Sequence, residues 1–116
     1  HCVIFRDGRI WQYVPFAARA WHAGVSEFDG RDKCNDFSIG IELEGCDELP
    51  FTDEQYESLI ALTVHLQQLY PAISRERIVG HQHIAPSRKT DPGPCFDWSR
   101  YLNALAKESP ATINSM

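Results

Sequence analysis

The run Thr52-Asp53-Glu54-Gln55 is followed by Tyr56, Leu59, Ile60, Thr63, Leu66 and Leu69 on one helical stripe, and the stripe stops at Pro71. Thr52 and Gln55 have the spacing of a capping box, with Thr52 as N-cap and Gln55 reaching back from the third helical position. The sequence therefore predicts an amphipathic helix between Thr52 and Pro71, with one face committed to a core. Just upstream, Phe37-Ser38-Ile39-Gly40-Ile41-Glu42-Leu43-Glu44 alternates strictly. As a strand it puts Phe37, Ile39, Ile41 and Leu43 on a core face, and Ser38, Gly40, Glu42 and Glu44 on the other.

Shorter signals flank these two elements. Val3–Phe5 and Ile10–Tyr13 are β-prone runs separated by Arg6-Asp7-Gly8-Arg9, and Asp-Gly is a strong hairpin turn signal. Ile78-Val79 reads as a short buried strand ending at Gly80-His81. His81 to Pro94, polar and rich in proline, reads as a surface loop. A second helix runs from Asp97 or Trp98 to Lys107, with Asp97 as cap, and Ser109 to Met116 reads as a frayed tail after a domain spanning 1–108. Between Val14 and Asp36 the apolar period vanishes. A connection that long is usually functional or disordered, and its rings Trp21 and Phe28 argue for order.

A chain of 116 residues fits one domain, and 43% hydrophobic residues suffice for a folded core. The net charge of -5 argues against nucleic acid and anionic membrane surfaces as partners. No apolar run approaches the roughly 20 residues of a membrane span, and no secretory signal is visible, so the reading is a soluble protein. Cys2, Cys34, Cys46 and Cys95 are scattered without a CxxC pair and are read as free thiols of a reducing compartment. The opening His1-Cys2-Val3-Ile4-Phe5 reads as a domain entered partway.

Chemistry concentrates in Gly80-His81-Gln82-His83-Ile84-Ala85-Pro86-Ser87-Arg88-Lys89-Thr90-Asp91-Pro92-Gly93. His81 and Asp91 are able to converge as metal ligands if the loop doubles back through its prolines. The plainer alternative is that His81 caps a strand and Asp91 starts a turn before Pro92. Lys89, two residues from Asp91, would set an ammonium beside such a site and stabilise an oxyanion, or would be ordinary surface charge. Glu42 and Glu44 have equal claims by spacing to act as a general base on a bound water, and each also reads as a solvated carboxylate.

Taken together, Trp21-His22-Ala23-Gly24, Asn35 through Gly45, Gly80-His81 and Ile84-Ala85-Pro86-Ser87-Arg88-Lys89-Thr90-Asp91-Pro92-Gly93 closely resemble the zinc-dependent N-acetylmuramoyl-L-alanine amidases. Within them, the likeness is greatest to the bacterial cytoplasmic amidases that act on 1,6-anhydro-N-acetylmuramoyl peptides in cell-wall recycling. It extends from His1 to about Leu105. It implies a mixed α/β (α+β) fold related to peptidoglycan recognition proteins, with a central sheet flanked by helices and a Zn2+ ion at one edge. By the same resemblance, His81 and Asp91 are two of three zinc ligands, Glu42 is the general base and Lys89 stabilises the tetrahedral oxyanion. Arg88 contacts the muropeptide, and Trp21 and His22 line the cleft.

Two departures accompany the resemblance. A second peptide-binding arginine of the family falls on Lys33, which keeps the charge but loses the bidentate fork. The family's remaining zinc ligand is a histidine upstream of the position matching His1, and two protein donors are too few for catalytic zinc. The expectation is thus the carboxy-terminal portion of a longer amidase, lacking an N-terminal strand and helix, with the missing ligand on a separate segment. The alternative is a peptidoglycan-binding module without catalysis, or an inactive fragment. A thiol enzyme is opposed by the scattered cysteines.

Overall fold

The computed structural model describes residues 1–107. Three strands, β1 (Cys2–Ile4), β2 (Ile10–Gln12) and β5 (Ile41–Leu43), form one sheet in the order β2-β1-β5. β1 and β2 are the hairpin that Asp7-Gly8 announces. They pair antiparallel with Val3 opposite Trp11, and Gly8 turns with φ 89, a conformation glycine takes without steric penalty. β1 also pairs with β5, in parallel, with Val3 opposite Glu42. Directly paired residues share a face of the sheet. Cys2, Ile4, Ile41 and Leu43 therefore point one way, into the core, and Val3, Trp11 and Glu42 point the other.

Helix α1 (Asp53–Leu69) begins at the capping box the sequence predicts: Gln55 N–H donates to Thr52 Oγ1 at 3.1 Å, and Thr52 N–H donates to Gln55 Oε1 at 3.0 Å. Its buried face is Gln55, Tyr56, Leu59, Thr63 and Leu66, as the stripe requires, while Leu69 is exposed. Helix α3 (Trp98–Lys107) packs on α1, and Asp97 caps it by accepting from Arg100 N–H at 3.0 Å. Ile4, Phe51, Tyr56, Leu59, Phe96, Tyr101 and Leu105 make the core, with Phe96 stacked on Tyr56 and edge-on to Phe51. The mixed α/β class, a sheet with helices against one face, agrees with the sequence reading.

Gln55 does more than cap. It is fully buried, and its Nε2 donates to the carbonyls of Ile4 at 3.2 Å and Glu44 at 2.8 Å, tying the helix start to the ends of β1 and β5. A buried side chain that satisfies two strand carbonyls locks the register of the sheet against the helix.

Four local expectations change. The strand from Phe37 to Glu44 contracts to Ile41–Leu43, because β1 begins at Cys2, whose N–H reaches back only to the Gly40 carbonyl at 3.1 Å, and the residues before Gly40 follow a 3-10 turn at Cys34–Asp36. Ile78 and Val79 do not form a strand. They leave a 3-10 turn at Arg75–Arg77 in extended conformation, have no strand partner among the described residues, and leave Val79 39% exposed. The loop after Gly80 opens with one helical turn, α2 (His81–Ile84), because His83 Nδ1 accepts from Gly80 N–H at 2.8 Å and so serves as the N3 capping residue. Within the long connection, β3 (Glu27–Phe28) and β4 (Arg31–Asp32) form a small hairpin around Asp29-Gly30, the same turn signal that marks the first hairpin. The tail at 109–116 and the domain limit at 108 lie outside the described residues.

Candidate active site

The connection between β2 and β5 folds over the sheet face that carries Glu42. His1 is buried beside it: its Nδ1 accepts from Gly40 N–H at 3.1 Å, so the ring proton sits on Nε2, 2.6 Å from the Ala18 carbonyl. The His22 ring lies directly over Gly40, where any side chain would collide with it. Gly40 and Glu42 are two apart on one face, so the missing Cβ at Gly40 lets an imidazole settle on the face that carries the carboxylate.

Asn35 holds the turn at His22. It is buried, and its Oδ1 accepts from the backbone N–H groups of His22 at 2.9 Å and Ala23 at 2.8 Å. The His22 ring contacts the Ala20 carbonyl through Nδ1 at 3.1 Å and the Ser38 hydroxyl through Nε2 at 2.9 Å. Burial pushes the His22 pKa down, and the neighbouring His81 pushes the same way, against the Ala20 carbonyl. His22 is thus held neutral more firmly than an exposed histidine.

From the other side, α2 delivers His81. Gln82 N–H donates to the Asp91 carbonyl at 2.9 Å, which folds the loop back so that His81 Nδ1 and Asp91 Oδ2 stand 3.2 Å apart. His81 Nε2 faces the Ala23 carbonyl at 2.9 Å. A carbonyl only accepts, so the Nε2 position carries the ring proton. A neutral His81 then turns the Nδ1 lone pair toward a carboxylate oxygen, an arrangement that requires either a second ring proton or a cation between them. Thr90 anchors the loop's far end by donating to Asp47 Oδ2 at 2.9 Å.

Glu42, His22, His81, Lys89, Asp91 and the largely exposed Trp21 line one cavity of ≈ 1420 Å³. The two glutamates separate here. Glu44 is committed to Arg6, whose backbone N–H its Oε1 accepts at 2.8 Å, whereas Glu42 is exposed on the site's face. Trp21 carries the Arg19 guanidinium 4.0 Å over its ring.

Two expected binding residues stand elsewhere. Lys33 is exposed outside the cavity lining in a left-handed conformation, φ 55, and the neighbouring cation that lines the cavity is Arg31, stacked 4.1 Å over Phe37. Arg88 spends its guanidinium on the carbonyls of Ala23 at 2.6 Å and Val25 at 3.0 Å, bracing the Trp21–Val25 turn against the loop. Gly24 allows this, since a Cβ there would come within 2.7 Å of Arg88 Nη2. Asn35, Ser38 and Arg88 as scaffold were not readable from the sequence, because each acts on backbone far along the chain.

Among the described residues no group of three or more His, Cys, Asp or Glu side chains converges as a metal cage. No helix among them is long and apolar enough to cross a membrane. All four cysteines are unpaired, and burial pushes the Cys2 thiol up, away from nucleophilic use.

Residues 1–94 match the family model of N-acetylmuramoyl-L-alanine amidase. The 1,6-anhydro-N-acetylmuramyl-L-alanine amidase AmpD of Enterobacter cloacae is 61% identical over 112 residues, covering 97% of this chain and 59% of the relative. AmpD of Haemophilus influenzae is 63% identical over 105 residues, covering 90% and 57%. A crystal structure of a selenomethionine AmpD derivative superposes with a TM-score of 0.87 at 60% identity, covering 90% of this chain and 58% of that one. The amidase AmiD of Escherichia coli, solved with its substrate anhydro-N-acetylmuramic acid-L-Ala-D-gamma-Glu-L-Lys, gives 0.78 at 42% identity, covering 83% and 40%. The chain thus spans about three-fifths of the length of the curated relatives it matches. On the family match and these identities, the chain belongs to the N-acetylmuramoyl-L-alanine amidase family.

Proposed function

We propose that the protein of which this chain is part hydrolyses the amide between (1,6-anhydro-)N-acetylmuramic acid and L-alanine in muropeptides, as a zinc enzyme of bacterial peptidoglycan recycling. The observation that carries the reading is the facing pair His81 Nδ1 and Asp91 Oδ2, 3.2 Å apart, in a cleft with Glu42 and Lys89. Two tetrahedral zinc ligands at about 2.0–2.1 Å from the metal stand about 3.3 Å from each other, so the pair has the spacing of one edge of a zinc site. The Ala23 carbonyl fixes the His81 proton on Nε2, as metal-binding histidines require.

The pair is incomplete, since catalytic zinc takes three protein ligands and keeps a fourth position open. Among the described residues no third donor converges on the pair. Zinc would supply Lewis acidity toward the amide carbonyl and its bound water. Glu42 takes a proton from the attacking water and returns it to the leaving amine. Lys89 meets the negative charge that develops on the amide oxygen. Trp21 and His22 wall the cleft, and Arg88 braces the Trp21–Val25 turn beside it through the Ala23 and Val25 carbonyls. The exposed Cys46 thiol fits a cytoplasmic, reducing site of action.

The absent third donor favours one other reading, a domain that binds muropeptide without cleaving it. Measuring zinc content and release of the L-alanine-initiated peptide from anhydro-muropeptide, with the intact gene product, separates the two. Stoichiometric zinc lost in Asp91→Ala, with hydrolysis lost in Glu42→Gln, supports the amidase; muropeptide binding with neither zinc nor hydrolysis supports the binding module.

A further inference from the structure

Beside the cleft, the sheet face that carries Glu42 holds an exposed aromatic surface with no role in the chemistry above. Register puts Trp11 in the same cross-strand row as Val3 and Glu42, and Tyr13 follows two residues on, on the same face. Trp11 is 53% and Tyr13 62% exposed. Their ring centroids are 6.1 Å apart, and Phe5 stands edge-on to Trp11 at 5.9 Å. Aromatic side chains this exposed forgo the burial that normally repays their size, and clustered ones mark recognition surfaces.

The shelf adjoins the site, because Val3 alone separates Trp11 from Glu42 in that cross-strand row. Trp11 lies two strand spacings from Glu42, roughly 10 Å. The neighbouring cation Arg9 is paired with Asp7 at 2.8 Å and stacked on Phe5. Peptide stems carry carboxylates and call for free positive charge, which the shelf lacks. Pyranose rings are neutral, present an apolar C–H face that stacks on aromatic rings, and carry hydroxyls for a phenol to bond.

We infer that Phe5, Trp11 and Tyr13 form a saccharide subsite that holds the sugar next out from the one bonded to L-alanine. The inference rests on the amidase reading for the substrate, though not for the binding itself. Stacking makes the protein favour muropeptides that keep a second sugar.

The test uses the intact protein, with chitotriose as the binding probe followed by titration calorimetry, and with muropeptides carrying one or two sugars as substrates. Trp11→Ala weakens chitotriose binding about fivefold and raises the two-sugar KM relative to the one-sugar KM by about the same factor, while Trp11→Phe restores both to within about twofold. Unchanged chitotriose binding in Trp11→Ala overturns the subsite whatever the catalytic result. So does a sugar response equal to wild type together with a shift from dimer to monomer on size exclusion, which would make the shelf a contact between copies. If no variant hydrolyses either muropeptide but chitotriose binding still depends on Trp11, the amidase reading fails and the subsite stands.

Discussion

Replacing Gln55 tests how the helix holds the site's strand in place. Its side chain supplies one capping bond to Thr52 N–H and two bonds to the carbonyls of Ile4 and Glu44, all out of water. The Ile4 carbonyl has a second donor in Glu44 N–H at 2.9 Å, so losing Gln55 orphans chiefly the Glu44 carbonyl. Gln55→Leu keeps the volume, removes a capping interaction of about 1 kcal/mol and leaves one buried acceptor unsatisfied at about 1–3 kcal/mol, for a total of about 2–4 kcal/mol. Gln55→Glu keeps the capping acceptor but swaps the donor for oxygen. Its protonated carboxyl is able to donate to one carbonyl, whereas its anion faces two carbonyls at full burial; the Arg6 guanidinium, 3.5 Å from Oε1, opposes this only at the edge of hydrogen-bond range, so burial and the carbonyls win and folding raises the pKa above the ordinary ~4.3. A raised acid pKa gives stability that is whole below the unfolded value and lost as pH climbs through the folded value, at about 1.4 kcal/mol for a tenfold change in acidity. Urea unfolding at pH 5 and pH 8 reads this directly. Gln55→Glu should lose more stability relative to wild type at pH 8 than at pH 5, and Gln55→Leu should lose the same at both. A Gln55→Leu penalty under about 0.5 kcal/mol, or a pH-independent Gln55→Glu, would refute the assignment.

Three further outcomes are expected. Glu42→Gln should lower kcat for muropeptide hydrolysis by about 10²–10⁴-fold, as for loss of a general base, while Glu44→Gln, whose carboxylate already serves the Arg6 N–H, should lose under about tenfold. Gly40→Ala should cost about 1–3 kcal/mol in urea unfolding, because the new methyl enters the space of the His22 ring, and should move the His22 imidazole NMR signals. Burial pushes the Tyr101 phenol up to about 12, despite its bond to Thr63 at 2.6 Å, so stability is whole below pH 10 and falls as pH rises toward 12. Tyr101→Phe should cost about 1 kcal/mol at pH 7 and flatten that alkaline slope.

What the sequence revealed tracks how local each cause is. The Asp7-Gly8 turn, the Thr52–Gln55 box and the stripe to Leu66 involve residues within a few positions of one another, and the structure keeps all three. Phe37 to Glu44 alternates correctly, yet only the three residues opposite β1 become strand, because strand length is set by the partner and not by the pattern. Ile78-Val79 failed for the same reason. The pairing of His81 with Asp91 was permitted by spacing and is made real by one backbone bond from Gln82. The choice of Glu42 over Glu44 needed the resemblance; the structure adds that Glu44 Oε1 accepts from the Arg6 amide while Glu42 is exposed in the cavity lining. Asn35 and the scaffold use of Arg88 left no local trace, their partners lying 12 to 65 positions away.

The parallel pairing of β1 with β5 also sets an order of assembly. Val3 meets Trp11 across a tight turn, eight positions along, but meets Glu42 only after the chain has closed a circuit of 39. Closing the longer circuit costs about 1.4 kcal/mol more chain entropy than closing the hairpin. The hairpin can therefore form by itself in microseconds, whereas the glutamate arrives by a long-range encounter that its three-residue ladder must then retain. Amide exchange should be faster in β5 than in α1, so the carboxylate strand is among the last parts to be built and the first to open.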